Sequence, residues 1–182
     1  MAIVTSAGAG RRAALRASIL QLRAPQATAR FIFEEASSLV ATSPVPVVVS
    51  SRCDIAMSTG AAGVHLPEKN IPVAVARTLM GERLVGCSVH SLESALSAES
   101  EGADYVVFGP VWASASHPGS EPAGVGALSE VAQALRIPVL AIGGVTAERI
   151  AECHAAGAAG YAAIGLFLSP RNLRFRGGPG VA

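Results

Sequence analysis

Two glycine-rich strand ends lie close together in the C-terminal third of the chain. Val139–Ile142 is a short apolar run leading into Gly143-Gly144, and Tyr161–Ile164 is a second that ends in Gly165. Glycine has no Cβ, so backbone N–H groups at these positions can come close to a ligand, and a helix start beside them adds positive potential. That combination suits an anion, phosphate above all. The alternative is that these glycines only make tight strand-to-helix turns.

The elements that would carry these glycines can be read from apolar runs and punctuation. Strands are predicted at Ile3–Thr5, Ile19–Arg23, Pro46–Ser50, Gly63–Leu66, Leu84–Val89, Tyr105–Val111, Val139–Ile142 and Tyr161–Phe167. Helices are predicted over 10–17, 26–41, 71–80, 91–101, 126–135 and 147–156, with room for a turn or two at 53–59. Ser91 and Thr146 stand where helix caps belong. One pattern recurs: Gly60-Ala61-Ala62-Gly63, Gly102-Ala103-Asp104 and Gly157-Ala158-Ala159-Gly160 each precede an apolar run. Each glycine sits where a left-handed cap would end a helix before a buried strand. Repeated strand–helix units with short turns predict a parallel sheet covered by helices. Eight of them predict a compact single-domain (β/α)8 TIM barrel, in which the loops after strands 7 and 8 commonly hold phosphate. A doubly wound open sheet is the second choice.

Composition narrows the classes of partner. The 182 residues carry a formal net charge of +1 with no Lys/Arg run, so nucleic acid is not expected as a partner. No apolar stretch approaches the ~20 residues of a membrane span, so no membrane association is expected either. Cys53, Cys87 and Cys153 follow neither a zinc spacing nor a disulfide plan. With no signal-peptide pattern at the N-terminus, a cytoplasmic, reduced setting is the expectation. Residues 1–168 are expected to form the barrel domain, and the Gly/Arg/Pro-rich stretch 169–182 a flexible tail.

Five motifs carry a family resemblance: GVHLPEKN, GCSVHS, GADYVVFGPVWASASHPG, IPVLAIGGVTAERI and GAAGYAAIGLF. In order and spacing they resemble thiamine phosphate synthase and its relative TenI, the thiazole tautomerase, from about Gln21 to Phe167. The resemblance implies a (β/α)8 barrel that binds a thiazole phosphate, with the phosphate on the backbone of Gly144, Ile164 and Gly165. The synthase joins a pyrimidine pyrophosphate to that thiazole phosphate with the help of Mg²⁺, a hard cation that prefers carboxylate oxygens. Gln21, Arg23, His65 and Ser88 match the synthase pattern. Four charge-bearing positions do not. The lysine after strand 2 is Pro25, and the metal-binding aspartates fall on Ser51, within Ser50-Ser51-Arg52, and on Asn70. The lysine after strand 6 is His117, within Ser114-Ala115-Ser116-His117. All four changes fall on the pyrophosphate–metal half.

That pattern favours the tautomerase, which needs a grip on a monophosphate, a carboxylate clamp and a general acid/base, but no metal. Histidine can serve as acid and base near neutral pH. A TenI pattern has G-H-V-F after strand 6, whereas this chain has Gly109-Pro110-Val111-Trp112, so either the proton passes to another histidine or the chain has a different role. His117, on the loop after strand 6, and His65, at the end of strand 4, are the candidate catalytic residues. The alternatives are a solvated loop histidine and a hydrogen-bonded pocket-shaping one. Arg23 could clamp a carboxylate or pair with Glu68, and Trp112 could stack on a flat ring or merely cap the barrel. His90 and His154 rank lower, and Cys87 reads as a packed small hydrophobe.

The expectation is therefore a metal-independent, cofactor-free isomerase acting on a small-molecule thiazole phosphate. Its substrate-binding set is Gln21, Arg23, Ser88, Ser114, Ser116, Gly143, Gly144, Ile164 and Gly165. A Mg²⁺-dependent thiamine phosphate synthase is the alternative, and a non-catalytic phosphate-ligand binder the second. Homo-oligomerisation is left open.

Overall fold

The computed structural model describes residues 1–114, 119 and 121–168. Eight parallel strands follow one another in chain order. They are β1 (Ala2–Val4), β2 (Leu20–Leu22), β3 (Val47–Ser50), β4 (Gly63–Leu66), β5 (Leu84–Val89), β6 (Tyr105–Phe108), β7 (Val139–Ala141) and β8 (Gly160–Tyr161). Just beyond β8 the ring closes through a parallel bridge between Ala163 and Ala2. There the Ile3 N–H donates to the Ala163 carbonyl (3.0 Å) and the Ala163 N–H to the Met1 carbonyl (3.2 Å). This is the (β/α)8 barrel predicted from the repeated units, and not the open doubly wound sheet.

Strand residues alternate between two cores, as the period of two requires. Outward residues such as Val4, Leu22, Val49, Val64 and Phe108 pack under the helices. Inward residues, among them Ile3, Val48, Tyr105, Val107 and Ala162, fill the barrel interior. Two polar side chains, Gln21 and His65, are buried with them.

The helices are α1 (Ala7–Ala13), α2 (Ala29–Thr42), α3 (Cys53–Ser58), α4 (Val73–Met80), α5 (Leu92–Ser100), α6 (Gly124–Ala134), α7 (Ile150–Ala155) and α8 (Gly165–Leu168). Local chemistry moves several of them from their predicted bounds. Ser6 accepts from the Ala9 N–H at 3.3 Å, so α1 starts three residues earlier than predicted. Thr28 caps α2 in the same way, and Pro25 stays outside the helix. Ser91 caps α5 as predicted, in a reciprocal box with Ser94. Thr146 is not a cap: 147–149 form a turn in which the Arg149 N–H donates to the Thr146 carbonyl (3.1 Å), and α7 starts only at Ile150. The three recurrent glycines Gly60, Gly102 and Gly157 all have positive φ, between 70 and 97°, as their cap role requires.

The largest correction concerns the last predicted strand. Tyr161–Phe167 does not run as one strand: pairing ends at Tyr161 apart from the single closing bridge, and α8 begins at Gly165. The apolar run hid the switch. Phe167 turns back to stack on Tyr161, with ring centroids 5.8 Å apart, so its burial comes from a helical turn.

Candidate active site at the mouth of the barrel

All eight strands end on one face, and most of the residues singled out in the sequence lie there. At the end of β7, Gly143 and Gly144 take φ of 89° and 66°, a conformation in which other residues are strained. Space is as restrictive as φ. A Cβ on Gly144 would lie 2.7 Å from both the Ala113 carbonyl oxygen and the Trp112 Cβ. The loop after β6 is strapped across these glycines: the Val111 N–H donates to the Ile142 carbonyl (2.8 Å) and the Trp112 N–H to the Gly143 carbonyl (3.1 Å). The N–H groups of Gly143, Gly144 and Ile164 make no hydrogen bond to another described residue. Ile164 and Gly165 are exposed beside them.

Arg149 adds a positive charge at this place. Its Nη1 donates to the Gly144 carbonyl at 2.8 Å, and its guanidinium sits 5.0 Å from the centroid of the Trp112 ring. The cation–π contact fixes both the arginine and the indole. Arg149 was not anticipated from sequence, although it is the first cation after the glycine pair. Trp112 is partly buried under that cation.

A second group occupies the β2–β5 side. His65 ends in the interior with both ring nitrogens engaged: Nε2 lies 2.9 Å from the Ser88 Oγ, and Nδ1 lies 3.2 Å from the Tyr105 hydroxyl. Burial, with the Arg23 charge adding to it, lowers the His65 pKa to about 4, so the ring is neutral at pH 7. That coupling places Arg23, itself exposed at the end of β2, within electrostatic reach of His65. Gln21 is buried in the barrel wall, paired in register with Ile3 and Val48. The structure thus brings Gln21, Arg23, His65 and Ser88 to one side and the glycines to the other. Ser114 lies on the loop after β6. His117 and Ser116 lie outside the described residues.

Glu68 pairs with His90, Oε2 to Nδ1 at 2.8 Å, and not with Arg23. Burial works to raise the Glu68 pKa, but hydrogen bonds from Ser94 and His90 outweigh it and leave it lowered. Burial pushes the Cys87 thiol up to about 11, in keeping with packing and not nucleophilic attack. His154 is exposed on α7. Tyr105 escaped notice in the sequence because its role depends on register: it faces Gly86, where any Cβ would overlap the phenol ring.

The donor set can be tested against the Mg²⁺ ion that the synthase resemblance implies. Ser51 and Asn70 offer only neutral oxygens where two carboxylates would be wanted. Asp54, the next acid along, is engaged by Arg52 (Nε to Oδ1, 2.8 Å), and Glu68 is engaged by His90. Among the described residues, no three His, Cys, Asp or Glu side chains come together. These residues do not fit a two-carboxylate magnesium site.

A closed eight-stranded (β/α)8 barrel thus carries cations and backbone N–H groups at one mouth, an arrangement chemically suited to an anion. The family model described as thiamine monophosphate synthase matches residues 6–167, and the chain belongs to that family, whose members act in thiamine biosynthesis. It is 38% identical over 176 residues to the thiamine-phosphate synthase of Chloroflexus aurantiacus, covering 89% of this chain and 82% of that one. It is 40% identical over 153 residues to the thiamine-phosphate synthase of Chlorobium luteolum, covering 81% and 72%. A solved thiamine phosphate pyrophosphorylase from Pyrococcus furiosus superposes with a TM-score of 0.84 at 27% identity, covering 94% and 88%. These relatives are named for the transfer reaction, so the comparisons support the synthase over the tautomerase that the changed residues had favoured. No helix among the described residues is long and apolar enough to cross a membrane.

Proposed function

We propose that the chain binds a thiazole phosphate at the β7–β8 side of the mouth and couples it to a pyrimidine pyrophosphate, as a thiamine phosphate synthase. The observation that carries this reading is the similarity to the Chloroflexus synthase along nearly the whole chain. The phosphate would rest on the N–H groups of Gly143, Gly144 and Ile164 and on Gly165, with Arg149 supplying charge. In the reaction, the bond between the pyrimidine methylene carbon and the pyrophosphate oxygen breaks, and the pyrophosphate leaves with the electron pair. The thiazole nitrogen then forms the new C–N bond. Arg23 and Ser88 would meet the charge of that leaving group with a guanidinium and a hydroxyl, while Gln21 stays buried in the barrel wall. Ser114, on the loop after β6, would add a hydroxyl contact.

A second reading, metal-independent thiazole tautomerisation, is favoured by one observation: Ser51 and Asn70 stand where magnesium carboxylates belong. In that reaction a proton leaves a ring carbon and another is returned to the ring system. His117 would be the acid/base, since His65 is neutral and enclosed, and Arg23 would hold the substrate carboxylate.

One pair of assays separates the two. The purified chain is given both synthase substrates with Mg²⁺, and separately the thiazole carboxylate phosphate tautomer in EDTA. Thiamine phosphate formation supports the synthase. Conversion only of the tautomer, lost in His117→Ala, would replace that reading with the isomerase.

A further inference from the structure

Three polar groups run in line from the barrel interior to its mouth. Tyr105 lies in the inner core with Ile3, Val48 and Val107, and is 7% exposed. Gly86 on the neighbouring strand leaves room for its ring, which stacks on the His65 imidazole with centroids 5.6 Å apart and planes inclined by 26°. The Tyr105 hydroxyl reaches His65 Nδ1 (3.2 Å), and His65 Nε2 reaches the Ser88 Oγ (2.9 Å). Ser88, near the C-terminal end of β5, is the member of the line that borders the mouth.

Hydrogen accounting gives this line a direction. A neutral imidazole has one N–H, so it donates at one nitrogen and accepts at the other. Among the described residues, His65 is the only hydrogen-bond partner of the Tyr105 hydroxyl. If Nδ1–H donated to that hydroxyl, the phenolic hydrogen would be left among apolar side chains without an acceptor, which is unfavourable for a buried donor. If the phenol donates to Nδ1, every buried hydrogen is used. Nε2–H then donates to Ser88, whose own hydrogen is free to turn toward the mouth.

We propose that Tyr105 is a positioning residue that holds His65 in its Nε2–H tautomer, so that Ser88 offers its hydroxyl hydrogen to an anionic oxygen of the ligand. His65 aligns Ser88 and passes no proton to the substrate. The depressed pKa of His65, about 4 and caused first by burial, keeps the ring in the neutral form this arrangement needs. The inference rests on the reading of the mouth as an anion site, and it assigns a polarity that the similarity to known synthases does not.

Long-range ¹⁵N NMR on the full chain, with labelled histidine and His65 assigned through His65→Gln, reads the tautomer directly at pH 7. The expected spectrum has Nδ1 unprotonated and Nε2 protonated. Tyr105→Phe should mix the tautomers. Ser88→Ala should leave the Nε2–H form intact while weakening inorganic pyrophosphate binding about tenfold, as for a lost bond to a charged group. An Nδ1–H tautomer in the wild type overturns the proposal. So does an unchanged tautomer in Tyr105→Phe, a tautomer lost in Ser88→Ala, or unchanged pyrophosphate affinity in Ser88→Ala. Should Tyr105→Phe fail to fold, the wild-type and Ser88→Ala spectra decide by themselves. A chain with the expected spectrum that turns over neither substrate keeps the relay and loses the functional reading.

Discussion

The two sides of the barrel mouth are built on different principles. The β6–β8 side uses backbone: Gly143 and Gly144 in left-handed conformations, locked by the Trp112 loop, with Arg149 tying the glycine carbonyl to the indole. The β2–β5 side uses side chains: Arg23, Gln21, Ser88 and the His65–Tyr105 pair, with serine and asparagine at the positions of the synthase carboxylates. A backbone site tolerates sequence change as long as its glycines and packing persist. A side-chain site changes its chemistry with each substitution. Such a difference lets one side keep the family's sequence pattern while the other departs from it at Ser51 and Asn70.

Breaking the backbone side should have the largest effect. Gly144→Ala puts a Cβ 2.7 Å from the Ala113 oxygen and the Trp112 Cβ. The left-handed conformation costs ~1–2 kcal/mol and the overlap about 1–3 more. Urea unfolding should show the combined loss, and phosphate affinity should fall with it. The opposite side should respond to acid. The folded pKa of His65 lies below its unfolded value, so the unfolded chain takes up the proton first as pH falls. Stability from this group is complete above about 6.5 and is lost as pH drops toward 4, by about 3 kcal/mol in all. Comparing unfolding of wild type and His65→Gln across that window checks the sign, since the variant should lose less.

Two further substitutions sharpen the comparison at smaller scale. Arg23→Gln should weaken pyrophosphate binding about tenfold or more while leaving thiazole phosphate binding nearly intact, which calorimetry with each ligand can separate. Arg149→Ala should do the reverse: it removes a cation–π contact worth ~0.5–1 kcal/mol and the hydrogen bond to Gly144, so thiazole phosphate affinity should fall severalfold.

Backbone-driven features were the more legible in sequence. The glycine caps, the eight apolar strands and the glycine pair after β7 follow from local composition, and the barrel follows from their number. The switch from β8 to α8 was not legible, because Tyr161–Phe167 is apolar in either form and only the closing bridge at Ala163 decides it. Tyr105 was invisible for a related reason. Its partner His65 is forty residues away, and the space for its ring is an absent side chain on the adjacent strand. Arg149 follows the glycine pair closely enough to have been noticed, yet its contact with Trp112 depends on two loops meeting. The pairing of Glu68 with His90 instead of Arg23 was likewise a matter of register between β4 and β5.

The most direct test of the account is a ³¹P NMR titration of the thiazole phosphate into wild type and Gly144→Ala, each in EDTA. A saturable shift is expected in the wild type without metal, and its loss in the glycine variant. A wild-type chain that leaves the phosphorus signal unmoved, or binds only when Mg²⁺ is added, would contradict it.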